Sequence, residues 1–325
     1  MTASGDRKQP AGQADVVICE CFARDGLQHE EQFVSTADKI ELIDMATKAG
    51  FTRIEATSYS NPKHVPAFRD ASEVLAGISR QDGVYYKATC PNVRAVERAL
   101  EDTAAGHGAN ELSLLVSASE SHSQRNLRAG REQQWQTIAS MVAAAGDRFR
   151  LVGVVSVAFG CPFEGRVDPD GVLGMVERFL QLGVRYIALG DTTGLATPVD
   201  VKDLFGRILS ALPEAMPIAH FHDSRGSGLA NCVAALETGC THFDSAAGGV
   251  GGHPSQIAYG GGWTGNVATE DLVNLLEAMG VRTGIDAGKL MQFSRSCERV
   301  LGRELYSKVA RTGFATFNEN AHEAA

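Results

Sequence analysis

From Ser35 to Thr57 the chain reads STADKIELIDMATKAGFTRIEAT, and this stretch decides the fold. Ser35-x-x-Asp38 has the form of a helix-opening capping box, with Asp in place of the usual Glu or Gln. Ile40, Ile43, Ala46 and Ala49 then recur at helical spacing. Gly50 follows, and glycine tolerates the left-handed backbone that ends a helix. A strand begins almost at once, Arg53-Ile54-Glu55-Ala56-Thr57. The same junction returns at Gly183-Val184-Arg185-Tyr186-Ile187 and at Gly239-Cys240-Thr241-His242-Phe243. These copies imply one βα unit used repeatedly.

Outward from these junctions, further strands are expected at Val16–Cys21, Val84–Thr89, Glu111–Ser117, Leu151–Phe159 and Pro217–His222, which with residues 53–57, 186–189 and 242–245 makes eight. Helical stretches separate most of them: Val93–Leu100, Glu132–Ala145, Gly171–Leu182, Val199–Leu212 and Leu229–Glu237. Eight βα units without a linker predict a (β/α)8 TIM barrel. A doubly wound open sheet would carry a Gly-x-Gly-x-x-Gly turn after its first strand, and Phe22-Ala23-Arg24-Asp25-Gly26 is not one. A helix at Glu270–Met279 follows the eighth strand, and the remainder from about residue 285 reads as a short C-terminal helical cap. Residues 1–14, polar and rich in small side chains, read as a disordered tail, which leaves residues 15–325 as a single barrel unit.

Composition narrows the function. The chain has 325 residues, enough for two domains at ~100–200 residues each, but a barrel accounts for the length as one. A net charge of -9 and the lack of any basic run argue against nucleic acid or an anionic membrane as a partner. No apolar stretch is long enough to span a bilayer, and the start has no apolar core of a signal peptide. Seven cysteines, an odd number without a C-x-x-C pair, fit a reducing cytoplasm. The 35 glycines exceed the usual ~7%. They fall at helix-to-strand junctions and most densely between Gly248 and Gly265, where a mobile lid and a plain flexible loop are the two readings.

A barrel of this kind works at the C-terminal mouth of its strands. The polar residues expected there are Arg24 and Asp25, Glu55 and Thr57, Asn92, residues 119–126, Asp191 and Thr192, His220 and His222, and Asp244. In Ala219-His220-Phe221-His222-Asp223 the alternation of a strand puts both imidazoles on one face. With a carboxylate from a neighbouring strand end, Asp25, they form a two-His, one-Asp set suited to a divalent metal. The plainer reading makes one His a rim residue and the other a general base. His29, His64 and His122 are read as buried; His122, Gln124 and Asn126 are candidates for reaching a CoA end.

Taken together, the motifs resemble the 3-hydroxy-3-methylglutaryl-CoA lyase family, within the metal-dependent aldolase-like barrels that include isopropylmalate and citramalate synthases. The resemblance spans roughly residues 16–309. It rests on Ala23-Arg24-Asp25-Gly26-Leu27-Gln28, Ile54-Glu55-Ala56-Thr57-Ser58, Phe159-Gly160-Cys161-Pro162-Phe163-Glu164-Gly165, Leu189-Gly190-Asp191-Thr192, His220-Phe221-His222-Asp223 and Gly265-Asn266-Val267-Ala268-Thr269-Glu270-Asp271. It implies metal ligands at Asp25, His220, His222 and Asn266. It implies an arginine facing the thioester carbonyl at Arg24, an acid near the metal at Glu55, and an orienting acid at Asp191. The expected ion is Mg²⁺ or Mn²⁺, although two imidazoles also suit Zn²⁺ or Co²⁺. An acyl-CoA thioester is the expected partner, and a homo-oligomer, in the first instance a dimer, the expected assembly.

One departure bears on substrate. The family's lid reads Gly-Gly-Cys-Pro with a catalytic cysteine, whereas this chain has Gly251-Gly252-His253-Pro254 and a longer segment before Asn266 that includes Tyr259 and Trp263. His253 is therefore expected to serve as the acid that the cysteine provides, the plainer reading being a lid residue packed beside Pro254 with no chemical role, and the acyl group is expected to differ. The predicted reaction is retro-Claisen cleavage of the C2–C3 bond of a 3-hydroxyacyl-CoA. The competing readings are a Claisen-condensing synthase of an acyl-CoA and a 2-oxo acid, a catalytically inactive acyl-CoA-binding barrel, and a His-His-Asp iron oxygenase.

Overall fold

A computed structural model describes residues 14–251 and 265–315. Eight parallel strands close into a barrel: Val17–Glu20, Arg53–Ser58, Tyr85–Cys90, Glu111–Ser117, Arg150–Ser156, Tyr186–Asp191, Met216–Phe221 and His242–Ser245. Each lies beside its sequence neighbours, and the first closes on the eighth through the pairing of Val17 with His242. The chain is a (β/α)8 barrel, as the repeated junctions predict.

Local chemistry accounts for the junctions. Ser35 caps the helix Thr36–Ala49 by accepting the Asp38 amide at 3.1 Å. Gly50, at φ 105°, ends that helix, and the chain enters the second strand three residues later. Gly183 and Gly239 sit at φ 81° and 100° at the equivalent turns. A side chain is strained in that backbone region, so glycine there is a structural requirement.

The fifth strand is shorter than the sequence suggests. It ends at Ser156, and Val157 takes φ 52°, donating its amide to the Thr192 hydroxyl at 2.9 Å. The chain then forms a small antiparallel hairpin of Gly160–Cys161 with Gly165–Arg166. The apolar run 157–159 is thus a turn away from the ladder, an exit that β-branched periodicity hides. After the eighth strand come helices Thr269–Ala278, Ala287–Leu301 and Val309–Thr312. Phe293 of the second packs edge-on against Phe22 at 6.2 Å, below the turn that carries Arg24 and Asp25. Apart from Ala14, the expected tail lies outside the described residues.

The inside of the barrel is divided. Val152, Ala188 and Ile218, on the fifth to seventh strands, form a small apolar cluster flanked by Val154 and Tyr186. The opposite half is ionic, with Arg53, Lys87, Glu55, Glu111 and Asp244 all buried. Arg53 donates to Glu111 at 2.7 Å, and Arg150 engages the same carboxylate from the next strand. Branched aliphatic residues usually fill such barrels. Buried charges survive only when paired, and this half is built as a set of matched pairs.

Candidate active site

The first strand ends in a tight π-type turn, Phe22–Gly26, held by the Gly26 amide donating to Cys21 O at 3.2 Å. Buried Glu20 fixes its start by accepting the Phe22 amide at 2.8 Å. The turn delivers Arg24 and Asp25 to the mouth. His220 lies on the seventh strand, and His222 one residue past its end, in a β-bridge with Asn266. That bridge explains how a residue distant in sequence joins the rim. Candidate ligand atoms of Asp25, His220 and His222 all lie within 4.8 Å of one another. The three side chains that the sequence pattern singled out are thus brought together by the fold.

Asn266 completes the set. Its Nδ2 donates to Asp25 Oδ2 at 2.7 Å and to Val250 O at 3.0 Å, while its Oδ1 is buried with no hydrogen-bond partner. A buried, unpaired amide oxygen beside a carboxylate and two imidazoles is costly unless a cation takes it. The donor set thus fits a divalent metal ion. Glycines allow the close approach: a Cβ on Gly265 would lie 1.7 Å from Gly249 O, and one on Gly251 would lie 2.7 Å from Asn266 Nδ2. The two ends of the glycine-rich loop are therefore packed backbone against backbone. His253, Tyr259, Trp263 and the rest of residues 252–264 of the expected lid lie outside the described residues.

Electrostatics prepare these ligands. Burial alone would raise the Asp25 carboxyl, but Arg24, His222, His220 and the Asn266 amide together hold it well below the usual carboxylate range. Burial pushes His222 down to about 4, which keeps its imidazole neutral. Burial would lower His220, but its bond to Asp244 and the charges of Asp244 and Asp25 together raise it. His220 Nδ1 lies 3.2 Å from Asp244 Oδ2. With Nδ1–H donating there, Nε2 keeps its lone pair for a cation, the arrangement that orients metal-binding histidines.

Arg24 links the ligand turn to the second strand. Its Nε lies 2.8 Å from Glu55 Oε1, and its Nη1 donates to Asp25 Oδ1 at 2.9 Å and to Gln28 Oε1 at 3.0 Å. Among the described residues nothing is paired with its Nη2, which leaves that donor for a substrate oxygen. Glu55 is fully buried. Its Oε1 also accepts the Thr89 hydroxyl at 2.8 Å, while Oε2 has no hydrogen-bond partner.

Other expectations need correction. Asp191, expected as an orienting acid and not as a ligand, stands apart from the ligand cluster: its oxygens accept the Leu195 and Ala196 amides at 2.8 and 3.1 Å, which braces the loop after the sixth strand. Burial pushes its carboxyl up to about 6, against the pull of those two amides. His29 and His64 are exposed, not buried. His122 is buried, as expected, with its Nδ1 2.9 Å from the Ser117 hydroxyl on a short helix, Glu120–Leu127. The sequence reading missed Glu20, Lys87 and the pairing of Asp244 with His220. Only the Lys at 87 in an otherwise strand-like run gave any signal.

A barrel whose rim holds two imidazoles, a carboxylate and an unpaired amide oxygen beside an arginine belongs to the class of metal-dependent aldolase- and lyase-type barrels. Comparison with known proteins makes this specific. The HMGL-like family pattern matches residues 15–297. The chain is 39% identical over 295 residues to a hydroxymethylglutaryl-CoA lyase of Bacillus subtilis, covering 90% of this chain and 95% of that one. It is 37% identical over 297 residues to a 3-hydroxy-3-isohexenylglutaryl-CoA/hydroxy-methylglutaryl-CoA lyase of Pseudomonas aeruginosa, covering 91% and 96%. Among solved structures it is similar to an HMG-CoA lyase from Acinetobacter baumannii in complex with coenzyme A and 3-methylmalate, with TM-score 0.86, 41% identity, and coverage of 93% and 96%. The chain belongs to the HMGL-like family.

Proposed function

We propose that the chain is a carbon–carbon lyase that cleaves the C2–C3 bond of a 3-hydroxyacyl-CoA, of the 3-hydroxy-3-methylglutaryl-CoA type, by retro-Claisen chemistry. The products are an acyl-CoA and a keto acid or other carbonyl compound. The observation that carries this reading is the convergence of Asp25, His220 and His222 with the unpaired Asn266 Oδ1, beside an Arg24 that keeps Nη2 free for substrate. Two of the relatives named above are lyases of this substrate type.

Cleavage requires the C3 hydroxyl to lose its proton while negative charge moves onto the thioester oxygen. A divalent ion held by Asp25, His220, His222 and Asn266 supplies Lewis acidity that makes the hydroxyl easier to ionise. Arg24, fixed by Glu55, Asp25 and Gln28, presents a preorganised positive charge to the enolate oxygen. Glu55 is the better proton acceptor of the two carboxylates. Asp25 is committed to Arg24 and Asn266, whereas the buried Glu55 Oε2 has no hydrogen-bond partner. It takes the hydroxyl proton directly or through one water. Asp191 acts at a distance, as a brace for the loop after the sixth strand. His253 is assigned as the acid that protonates C2, because imidazole can give or take a proton near neutral pH.

Mg²⁺ or Mn²⁺ is the assigned ion, with Zn²⁺ or Co²⁺ as substitutes that two imidazoles would accept. A homo-oligomer is the assigned assembly. Among the described residues no helix is long and apolar enough to cross a membrane, and all seven cysteines are free, in keeping with a reducing cytoplasm. The test is a panel of 3-hydroxyacyl-CoA thioesters assayed with Mg²⁺, Mn²⁺, Co²⁺ and Zn²⁺ for acyl-CoA release. Release that depends on metal and is lost in His220→Ala supports the reading. Release that survives chelation or that substitution overturns it.

A further inference from the structure

Just inside the mouth, at the level of His220, the barrel has a floor that carries a second set of potential metal donors that the reaction does not use. Cys19 and Asp244 are register partners on the first and eighth strands, and Cys21 follows the first strand. Ligand atoms of Cys19, Cys21 and Asp244 lie within 4.8 Å of one another, and all three residues are buried. The two thiols are 3.9 Å apart. Two thiols and a carboxylate form a donor set that soft transition metals favour, unlike the nitrogen and oxygen donors above it. The two sets are coupled, because Asp244 Oδ2 also holds His220 Nδ1 at 3.2 Å.

A cation already stands at this floor. Lys87 comes inward from the third strand, 3% exposed, with Nζ 3.5 Å from Glu55 Oε1 and 3.7 Å from Asp244 Oδ2. No other side chain bridges the two carboxylates in this way among the described residues. Arg53 also approaches Asp244, at 3.5 Å, but it is committed to Glu111 at 2.7 Å. We propose that the Lys87 ammonium takes the place of a second cation: it occupies the charge position that Cys19, Cys21 and Asp244 would otherwise offer to a soft metal ion, and so keeps the centre mononuclear. The same contact holds Asp244 on His220 and Glu55 beside Arg24, away from direct coordination of the catalytic ion. This inference rests on the one-metal lyase reading of the site.

The charge balance is simple. A divalent ion that enters as both thiols lose their protons to solvent adds no net charge to the floor, and what the ammonium denies it is the third donor, the Asp244 carboxylate that Lys87 Nζ approaches to 3.7 Å. Soft-metal thiolate coordination then outweighs the cost of burying the ion, because thiol deprotonation on a metal is strongly favoured.

The experiment is a Co²⁺ titration of chelator-stripped full-length protein, read by absorption and by proton release. The wild type is expected to take one equivalent with no thiolate-to-cobalt charge-transfer band. Lys87→Ala is expected to take a second equivalent, to show that band, and to release two further protons per chain. Adding Cys21→Ser to Lys87→Ala should remove the second equivalent and the band. Lys87→Met fills most of the volume without the charge and replaces the alanine variant if that one does not fold. A folded Lys87 variant that binds one equivalent with no thiolate band overturns the proposal, as does a wild type that already shows it. Failure of the lyase reading would show separately, as loss of the first, thiolate-free equivalent in the wild type.

Discussion

Glu20 offers a test of how the mouth is held together. This buried carboxyl closes the first strand: Oε1 accepts the Phe22 amide at 2.8 Å and the Ala247 amide at 3.0 Å, and Oε2 meets the Thr269 hydroxyl at 2.7 Å. It therefore ties the Arg24–Asp25 turn to the loop after the eighth strand. Burial pushes it from an ordinary 4.5 up to about 8, against the pull of Thr269 and the two amides. The protonated acid fits its surroundings, since Oε2–H can donate to Thr269, whose hydroxyl passes on to Ser245 at 2.8 Å. A carboxyl raised in the folded state favours folding fully below its ordinary value, and that advantage fades as pH rises through the folded value. At about 1.4 kcal/mol per pH unit, the loss from this one group between pH 5 and 8 reaches about 4 kcal/mol. Glu20→Gln imitates the protonated acid: its amide oxygen keeps both backbone bonds, and its nitrogen donates to Thr269. Urea unfolding of wild type and variant at pH 5, 6, 7 and 8 measures the difference. The variant should lose less stability than the wild type as pH rises and should be the more stable of the two at pH 8. Parallel stability curves for the two proteins would refute the reasoning.

Other substitutions test the site piece by piece. Asp244→Asn leaves His220 without its carboxylate partner and should weaken Mn²⁺ binding by roughly 10–100-fold, read by calorimetric titration. Arg24→Met should lower kcat by about 10²–10³ with a smaller change in KM, because its charge matters most as the enolate forms; steady-state kinetics decide it. Gly265→Ala places a Cβ on Gly249 O and should displace Asn266, seen as a lower melting temperature together with weaker metal binding. His253→Ala should slow turnover on the true substrate, and near wild-type turnover would remove His253 as the acid.

The readable parts of the sequence are those set by local rules. Gly50, Gly183 and Gly239 mark helix ends because their backbone angles exclude other residues, and from those junctions the repeated unit follows. The pair His220 and His222 is legible because strand alternation needs no tertiary information. Asn266 was reached through family resemblance, since nothing local marks an amide as a ligand, whereas Glu55 stood out by its place on the second strand and drew only its role from the resemblance. Lys87 and its pairing with Asp244 stayed hidden, although Asp244 itself was expected at the mouth, because a charged residue in a strand is normally turned to solvent and only barrel closure turns these two inward as a pair. Val157 deceived for the opposite reason: an apolar run continued past the point where Thr192 captures the backbone. Asp191 was legible as a strand-end acid, and what the sequence does not show is that its carboxylate holds two loop amides.

The central claim is that this mouth breaks one carbon–carbon bond with the help of a bound metal. It is tested most directly by identifying the products when metal-loaded protein meets 3-hydroxy-3-methylglutaryl-CoA and its 3-alkyl variants, using mass spectrometry and NMR. Cleavage between C2 and C3 predicts equal amounts of acetyl-CoA and the matching 3-keto acid, formed only with metal present and absent in His220→Ala. Free coenzyme A from thioester hydrolysis, or intact substrates across the panel with metal bound at Asp25, His220 and His222, would contradict it.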